Sequence, residues 1–135
     1  MADTLELEVA TPERELVREQ VSDLQIPGKN GYMGILPGHA PLLGLLGIGT
    51  LTYLSADGKK RYLSIHGGFL EVLDDHVRVL ADCAERAEEI DIQRAKVALQ
   101  RAQEAGLNPA LGVDPGAALE AMARAQARLE TAEKK

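Results

Sequence analysis

Aromatic residues make up only 3% of the chain, with no tryptophan, three tyrosines and one phenylalanine. A stacking surface for single-stranded nucleic acid, or a broad platform for sugars, has almost nothing to be built from. Positive charge is also in short supply. Lys and Arg number 15 against 21 Asp and Glu, a net charge of −6, so a phosphate backbone would be repelled and no nucleic-acid partner is expected. Cysteine occurs once, as Cys83, which rules out an internal disulfide and suits a reducing compartment. The start MADTLELEVATPERE has neither the basic opening nor the apolar stretch of a secretory signal. The longest apolar run, Pro41 to Leu46 with the glycines beyond it, falls far short of the roughly 20 residues that span a bilayer. No direct membrane span is expected, which leaves attachment to a membrane complex open.

What is present divides into two regions of different period. Up to about Cys83 the residues alternate with a period of two: Leu5, Leu7 and Val9 face one way, Thr4, Glu6 and Glu8 the other. Further candidate strands are 15–18, 21–26, 32–36, 49–54, 61–66, 68–73 and 76–80. Pro27-Gly28, Asn30-Gly31, Pro37-Gly38, Asp57-Gly58 and Asp74-Asp75 separate them, and Asn-Gly and Asp-Gly supply the positive φ that tight hairpin turns need. Many short strands at this spacing predict an antiparallel β-sandwich or flattened barrel.

From Ala84 onward alanine and long charged side chains take over, which is helix composition. Asp91 is placed to cap a helix carrying Ile92, Ala95, Leu99 and Ala102 on one stripe, with Gly106 as its stop. Asp114-Pro115 opens a second helix, with Leu119, Met122, Gln126 and Leu129 as its stripe. The two helices are predicted to pair as an antiparallel hairpin. The acidity belongs to the first region: residues 1–83 carry a net −5 and residues 84–135 a net −1. Stripes built largely of alanine bury little apolar area, so the helical arm is expected to dock weakly and to be capable of moving.

Chemistry of its own is hard to assemble. His39, His66 and His76 show no ligand spacing with one another or with Cys83, so no metal site is expected. Asp74-Asp75-His76 reads as a turn before an acid–base pair. Ser55 and Ser64 lack a G-x-S-x-G context, and Pro27-Gly28-Lys29-Asn30-Gly31 has no Walker pattern and no helix after it. The arginines of the arm are more informative. Arg94 and Arg101 lie two turns apart on one helix and Arg124 and Arg128 one turn apart on the other, so an antiparallel pair could gather them into a cationic patch for a phosphate chain, with Asp91 beside it. The plain alternative is a solvated face with exposed Glu120–Arg124 and Asp91–Arg94 pairs.

The stretch Pro27-Gly28-Lys29-Asn30-Gly31-Tyr32-Met33-Gly34-Ile35-Leu36-Pro37-Gly38-His39-Ala40-Pro41-Leu42 closely resembles the signature of the epsilon subunits of F-type ATP synthases. Gly67-Gly68-Phe69-Leu70-Glu71-Val72, Val79-Leu80-Ala81-Asp82 and Ala84-Glu85-Arg86-Ala87-Glu88-Glu89-Ile90-Asp91 agree in order. The resemblance implies a β + α architecture: an N-terminal antiparallel β-sandwich of about ten strands in residues 1–84, which binds the rotor, and a regulatory two-helix hairpin in residues 85–135. It implies a subunit that is not catalytic alone, contains no catalytic residues and requires no cofactor. Its partners would be the gamma subunit, the ring of c subunits and the alpha/beta catalytic head, at the cytoplasmic face of the bacterial plasma membrane. Contact with the c-ring is implied for Lys29, Asn30, Gly31, Tyr32 and His39. Inhibitory contact with the head is implied for Arg124, Arg128, Lys134 and Lys135. Ile90-Asp91-Ile92-Gln93-Arg94-Ala95 fits the family's I/L-D-x-x-R-A motif, which implies ATP as a regulatory ligand held by Glu85, Ile90, Asp91, Arg94, Ala95, Arg101, Arg124 and Arg128. A freestanding nucleotide-sensing module is the competing expectation.

Overall fold

A computed structural model describes residues 3–135. Six strands come first: β1 (Leu5–Ala10), β2 (Glu15–Gly28), β3 (Gly31–Ile35), β4 (Leu42–Ser55), β5 (Lys60–Leu73) and β6 (His76–Arg86). A single 3₁₀ turn (Ala87–Glu89) leads into α1 (Ile92–Leu107), and a second (Pro109–Leu111) into α2 (Pro115–Glu133). The strand order is β1-β6-β5-β4-β2-β3, and β1 also pairs with β2, so the sheet closes on itself into a flattened barrel. Every pairing is antiparallel except β1 with β6.

Six strands, four of them long, stand where about ten were expected. Some of the expected breaks are irregularities within continuous strands, whereas those at Asn30-Gly31, Pro37-Gly38, Asp57-Gly58 and Asp74-Asp75 do separate strands. Strands 61–66 and 68–73 are both in β5, which kinks at Gly67 and Gly68 with φ of 71° and 122° and then resumes its pairing with β6. Side chains avoid that conformation, and a Cβ on Gly68 would also collide with the Leu80 carbonyl oxygen. In the same way 15–18 and 21–26 form one β2, with register shifts after Val21 and Gln25. Pro27-Gly28 lies inside β2, and the reversal falls on Lys29 and Asn30. Asp74 and Asp75 are a two-residue hairpin turn, both with positive φ (49° and 59°), between paired Leu73 and His76. Asp75 Oδ1 accepts from the Gly38 N–H at 2.7 Å, tying this turn to the β3–β4 loop.

Inward residues of all six strands fill one core, including Leu5, Leu7, Leu24, Ile26, Ile35, Leu51, Leu63, Ile65 and Leu70, each 1% exposed or less. No helix residue belongs to that core. At its margin burial and the nearby Glu19 push the Tyr53 phenol up to about 12. The Tyr53 hydroxyl donates to Glu19 Oε2 at 3.2 Å.

The helical arm is capped as its sequence predicts. Asp91 Oδ1 accepts from the Arg94 N–H, and Asp114 Oδ2 from the Ala117 N–H, both at 3.0 Å. Helix α1 runs one residue past Gly106, and the left-handed residue of the connection is Gly112 (φ 70°). The buried positions are narrower than the predicted stripes. On α1 they are Ala95 and Ala102, whereas Ile92 is exposed; on α2 they are Ala118, Ala125, Ala127, Thr131 and Ala132, whereas Leu119 is 66% exposed. Small residues let the helices approach closely: a Cβ on Gly106 would meet the Ala118 Cβ at 3.7 Å.

Candidate functional site

Helix α2 lies between α1 and the outer face of β4 and β5, so the seam between arm and barrel is the structurally distinctive region. The sheet surface beneath α2 is polar. Thr50 of β4 shares a 2.7 Å hydrogen bond with Thr131 of α2, and both residues are buried. On β6, Glu85 Oε1 accepts from Arg128 Nε at 2.5 Å, and Cys83, half-buried, has its Sγ 3.9 Å from Arg128 Nη2. His66 of β5 lies opposite Cys83 in register, with Nε2 2.8 Å from the Ser64 hydroxyl and Nδ1 without a partner among the described residues. Burial first, then the Arg128 and Arg124 charges, lower its pKa to about 4, so at neutral pH it is an uncharged ring. A cavity of about 690 Å³ opens beside it, lined by Lys29, Phe69, Asp82, Cys83, Glu120 and Arg124 among others.

The residues named for nucleotide binding fall into separate groups. Ile90 is buried, Asp91 caps α1 and Ala95 is buried between the helices, so three positions of the six-residue motif have structural work of their own. Arg94 and Arg101 line one cavity of about 470 Å³ with Val97, Val113 and Ala117, and neither has an ion-pair partner among the described residues. Arg124 lines the seam cavity instead, 4.0 Å from Glu120, and Arg128 is engaged by Glu85. Of the expected set, the structure joins Glu85 to Arg128 and Arg94 to Arg101. Lys134 lies at the far end of α2, where it lines a cavity with Tyr32, Thr50 and Glu130; Lys135 follows it.

Lys29, Asn30, Gly31 and Tyr32 line another cavity, of about 440 Å³, with Leu43 and Leu45. Tyr32 is 59% exposed, yet its hydroxyl accepts from the Thr50 N–H at 2.9 Å, which braces the turn against β4. His39 lies beyond the other end of β3, in the loop before β4 and seven residues after Tyr32, with Nδ1 2.6 Å from the Ala40 carbonyl oxygen. Sequence reasoning missed the surface between these features. Leu45, Phe69 and Leu80 are paired across β4, β5 and β6, and all three are about half exposed, with Leu43 more so. Its signal was the unbroken run of apolar residues from Leu42 to Leu46 and from Phe69 to Leu70, where an alternating strand would have been polar outward.

A family model described as "ATP synthase, Delta/Epsilon chain, beta-sandwich domain" matches residues 4–87. Along its whole length the chain is 75% identical to the whole of the ATP synthase epsilon chain of Solibacter usitatus. It belongs to the ATP synthase epsilon chains. The epsilon chain of Koribacter versatilis is 52% identical over 104 residues, which is 77% of this chain and 72% of that one. Among solved structures, a chain in the Euglena gracilis mitochondrial ATP synthase (OSCP/F1/c-ring) matches with a TM-score of 0.85 at 28% identity, covering 98% of this epsilon chain and 83% of its counterpart. A chain of the Tetrahymena thermophila mitochondrial ATP synthase central stalk and c-ring shares the fold, with a TM-score of 0.61 at 14% identity and coverage of 96% and 94%. No helix among the described residues of this epsilon chain is long and apolar enough to cross a membrane.

Proposed function

We propose that this epsilon chain is a non-catalytic rotor subunit of the central stalk, whose barrel couples the c-ring to the gamma subunit and whose arm is a mobile inhibitor of ATP hydrolysis. The observation that carries the reading is the seam: the helices are held to the barrel by alanines, one threonine pair and the Arg128–Glu85 pair, with an Arg14–Glu89 pair at the connecting turn, and lend no residue to the core. Such an arm can leave without unfolding what it leaves behind. The exposed Leu45-Phe69-Leu80 row is the gamma-facing surface in this reading. The Lys29–Tyr32 turn and His39 meet the c-ring, and the chain works at the cytoplasmic face of the bacterial plasma membrane. Released from the barrel, Arg124, Arg128, Lys134 and Lys135 present positive charge to the catalytic head.

ATP is the proposed ligand of the closed arm. Arg94 and Arg101, without ion-pair partners among the described residues and on one cavity, hold the phosphate chain; Arg124 and Arg128, which face the seam in this structure, join the cationic set if α2 turns toward that cavity. Ile90, Asp91 and Ala95 shape the site by fixing the start of α1, with Glu85 beside it. A ligand that binds only the closed arm favours closure by RT ln(1 + [ATP]/Kd), about 2.7 kcal/mol at a hundredfold excess over Kd, so high ATP lifts inhibition. Calorimetric titration of the full chain tests this: wild type binds ATP and Arg94→Ala loses binding with the barrel intact. Equal affinity in the two proteins would sink the ATP reading. Co-purification with gamma and c subunits tests the rotor reading separately.

A further inference from the structure

His66 is not part of any contact the proposed function uses, and its surroundings are unusual for a histidine. The residue is 6% exposed, on the polar outer face of β5, and what covers it is α2. Its neighbours in register are Ile48 on β4 and Cys83 on β6. From β6 the charged groups around it are Asp82 and Glu85, from α2 Glu120, Arg124 and Arg128, and from the β2–β3 turn Lys29. Of the neighbouring carboxylates, Glu85 is taken up by Arg128 at 2.5 Å, Glu120 lies 4.0 Å from Arg124, and none, Asp82 included, is hydrogen-bonded to the ring among the described residues. Ser64 meets one ring nitrogen and no acceptor meets the other among the described residues. A second proton on the ring would therefore sit buried, facing two guanidinium groups that α2 brings with it.

We infer that His66 is a proton-sensitive latch for the helical arm: the neutral imidazole permits α2 to dock, and protonation expels it. The inference rests on the reading of the arm as mobile, but not on its binding ATP. The direction follows from linkage. With α2 docked the ring titrates at about 4, and with the arm away it loses the two arginines and much of its cover and returns toward 6.5. A lowered pKa means that docking is fully favoured above about 6.5 and is lost progressively as the pH falls toward 4. Between pH 7.5 and 5.5 the ratio of open to docked molecules rises about tenfold.

The test uses the full chain with dyes on Asp57→Cys and Leu107→Cys in a Cys83→Ala background, read by single-molecule energy transfer, together with the His66 ring signals by NMR. Thr131→Arg, which drives a charge into the buried Thr50 contact, supplies the released arm. The expected results are three: the His66 midpoint is about two units lower in wild type than in Thr131→Arg, acid opens the wild type about tenfold over that range, and His66→Gln changes less than twofold. Equal His66 midpoints in wild type and Thr131→Arg overturn the latch, as does acid opening of His66→Gln to the wild-type extent, which would assign the opening to groups other than His66. If Thr131→Arg keeps the wild-type energy transfer at every pH, the arm does not leave the barrel, and the mobile-arm reading falls together with the latch. Loss or retention of ATP binding in Arg94→Ala bears on neither result.

Discussion

Arg128 fastens the two halves of the molecule at one point. Its bond to Glu85 is partly screened, with each side chain a little over a quarter exposed, so Arg128→Ala should weaken docking of the arm by about 1 kcal/mol and leave the barrel's own stability unchanged. Energy transfer between arm and barrel reads the first effect and urea denaturation the second. Tyr53 offers an independent residue-level check at high pH. Its raised pKa means that the protonated phenol stabilises the fold below pH 10 and that this contribution is lost as the pH rises toward 12. The urea midpoint of wild type should therefore fall more steeply than that of Tyr53→Phe between pH 10 and 11.5; parallel curves would remove Tyr53 from the stability of the barrel. Gly68 is a third such position. Gly68→Ala meets both an unfavourable φ and the Leu80 carbonyl, and should cost the barrel about 1–3 kcal/mol in urea denaturation.

Among the elements, α2 carries the most constraint, being covered on two sides. Ala118, Ala125 and Ala132 recur every seven residues, and Ala127 and Thr131 every four, which is why a helix with so few large side chains is still well buried along its length. Ala125→Leu should overpack this helix and cost docking about 1–3 kcal/mol, seen as an open arm by energy transfer at neutral pH. That constraint explains what could be read from the chain beforehand. The caps at Asp91 and Asp114 and the turns at Asp57-Gly58 and Asp74-Asp75 depend on local chemistry, and the sequence displays local chemistry directly. The face of α2 does not. Leu119 and Leu129 outweigh the alanines in any apolar pattern, but close approach selects the small residues, and that is decided by a neighbour distant in sequence. Strand number was hidden for a related reason: glycine pairs mark bulges as well as ends, and only the partner strand shows which. The arginine set was legible as residue type and spacing, whereas its division between two cavities depends on how α2 is rotated.

At the scale of the whole molecule, the barrel's core cluster contains no residue of the two helices. Since the core draws only on residues 5–84, a chain ending at Ala87 should keep the barrel's amide spectrum and a cooperative urea transition. Loss of that transition would show that the arm is part of one folding unit. On the proposed inhibitory role of the arm, the ATP synthase carrying the shortened chain should hydrolyse ATP faster than the complex with the full-length chain, and equal rates would remove that role.

The parallel pairing of β1 with β6 bears on the birth of the molecule as well as its shape. The barrel's first strand takes its last neighbour from the barrel's final strand, Glu6 to Ala10 beside His76 to Leu80. Until that strand emerges, β1 has β2 alone, and the sheet has an open edge. The barrel therefore shuts only once β6 has been made, and the arm, which follows β6 in the chain, meets a surface that is already closed. An arm that follows the closing strand in the chain is not needed for the pairing that closes the barrel.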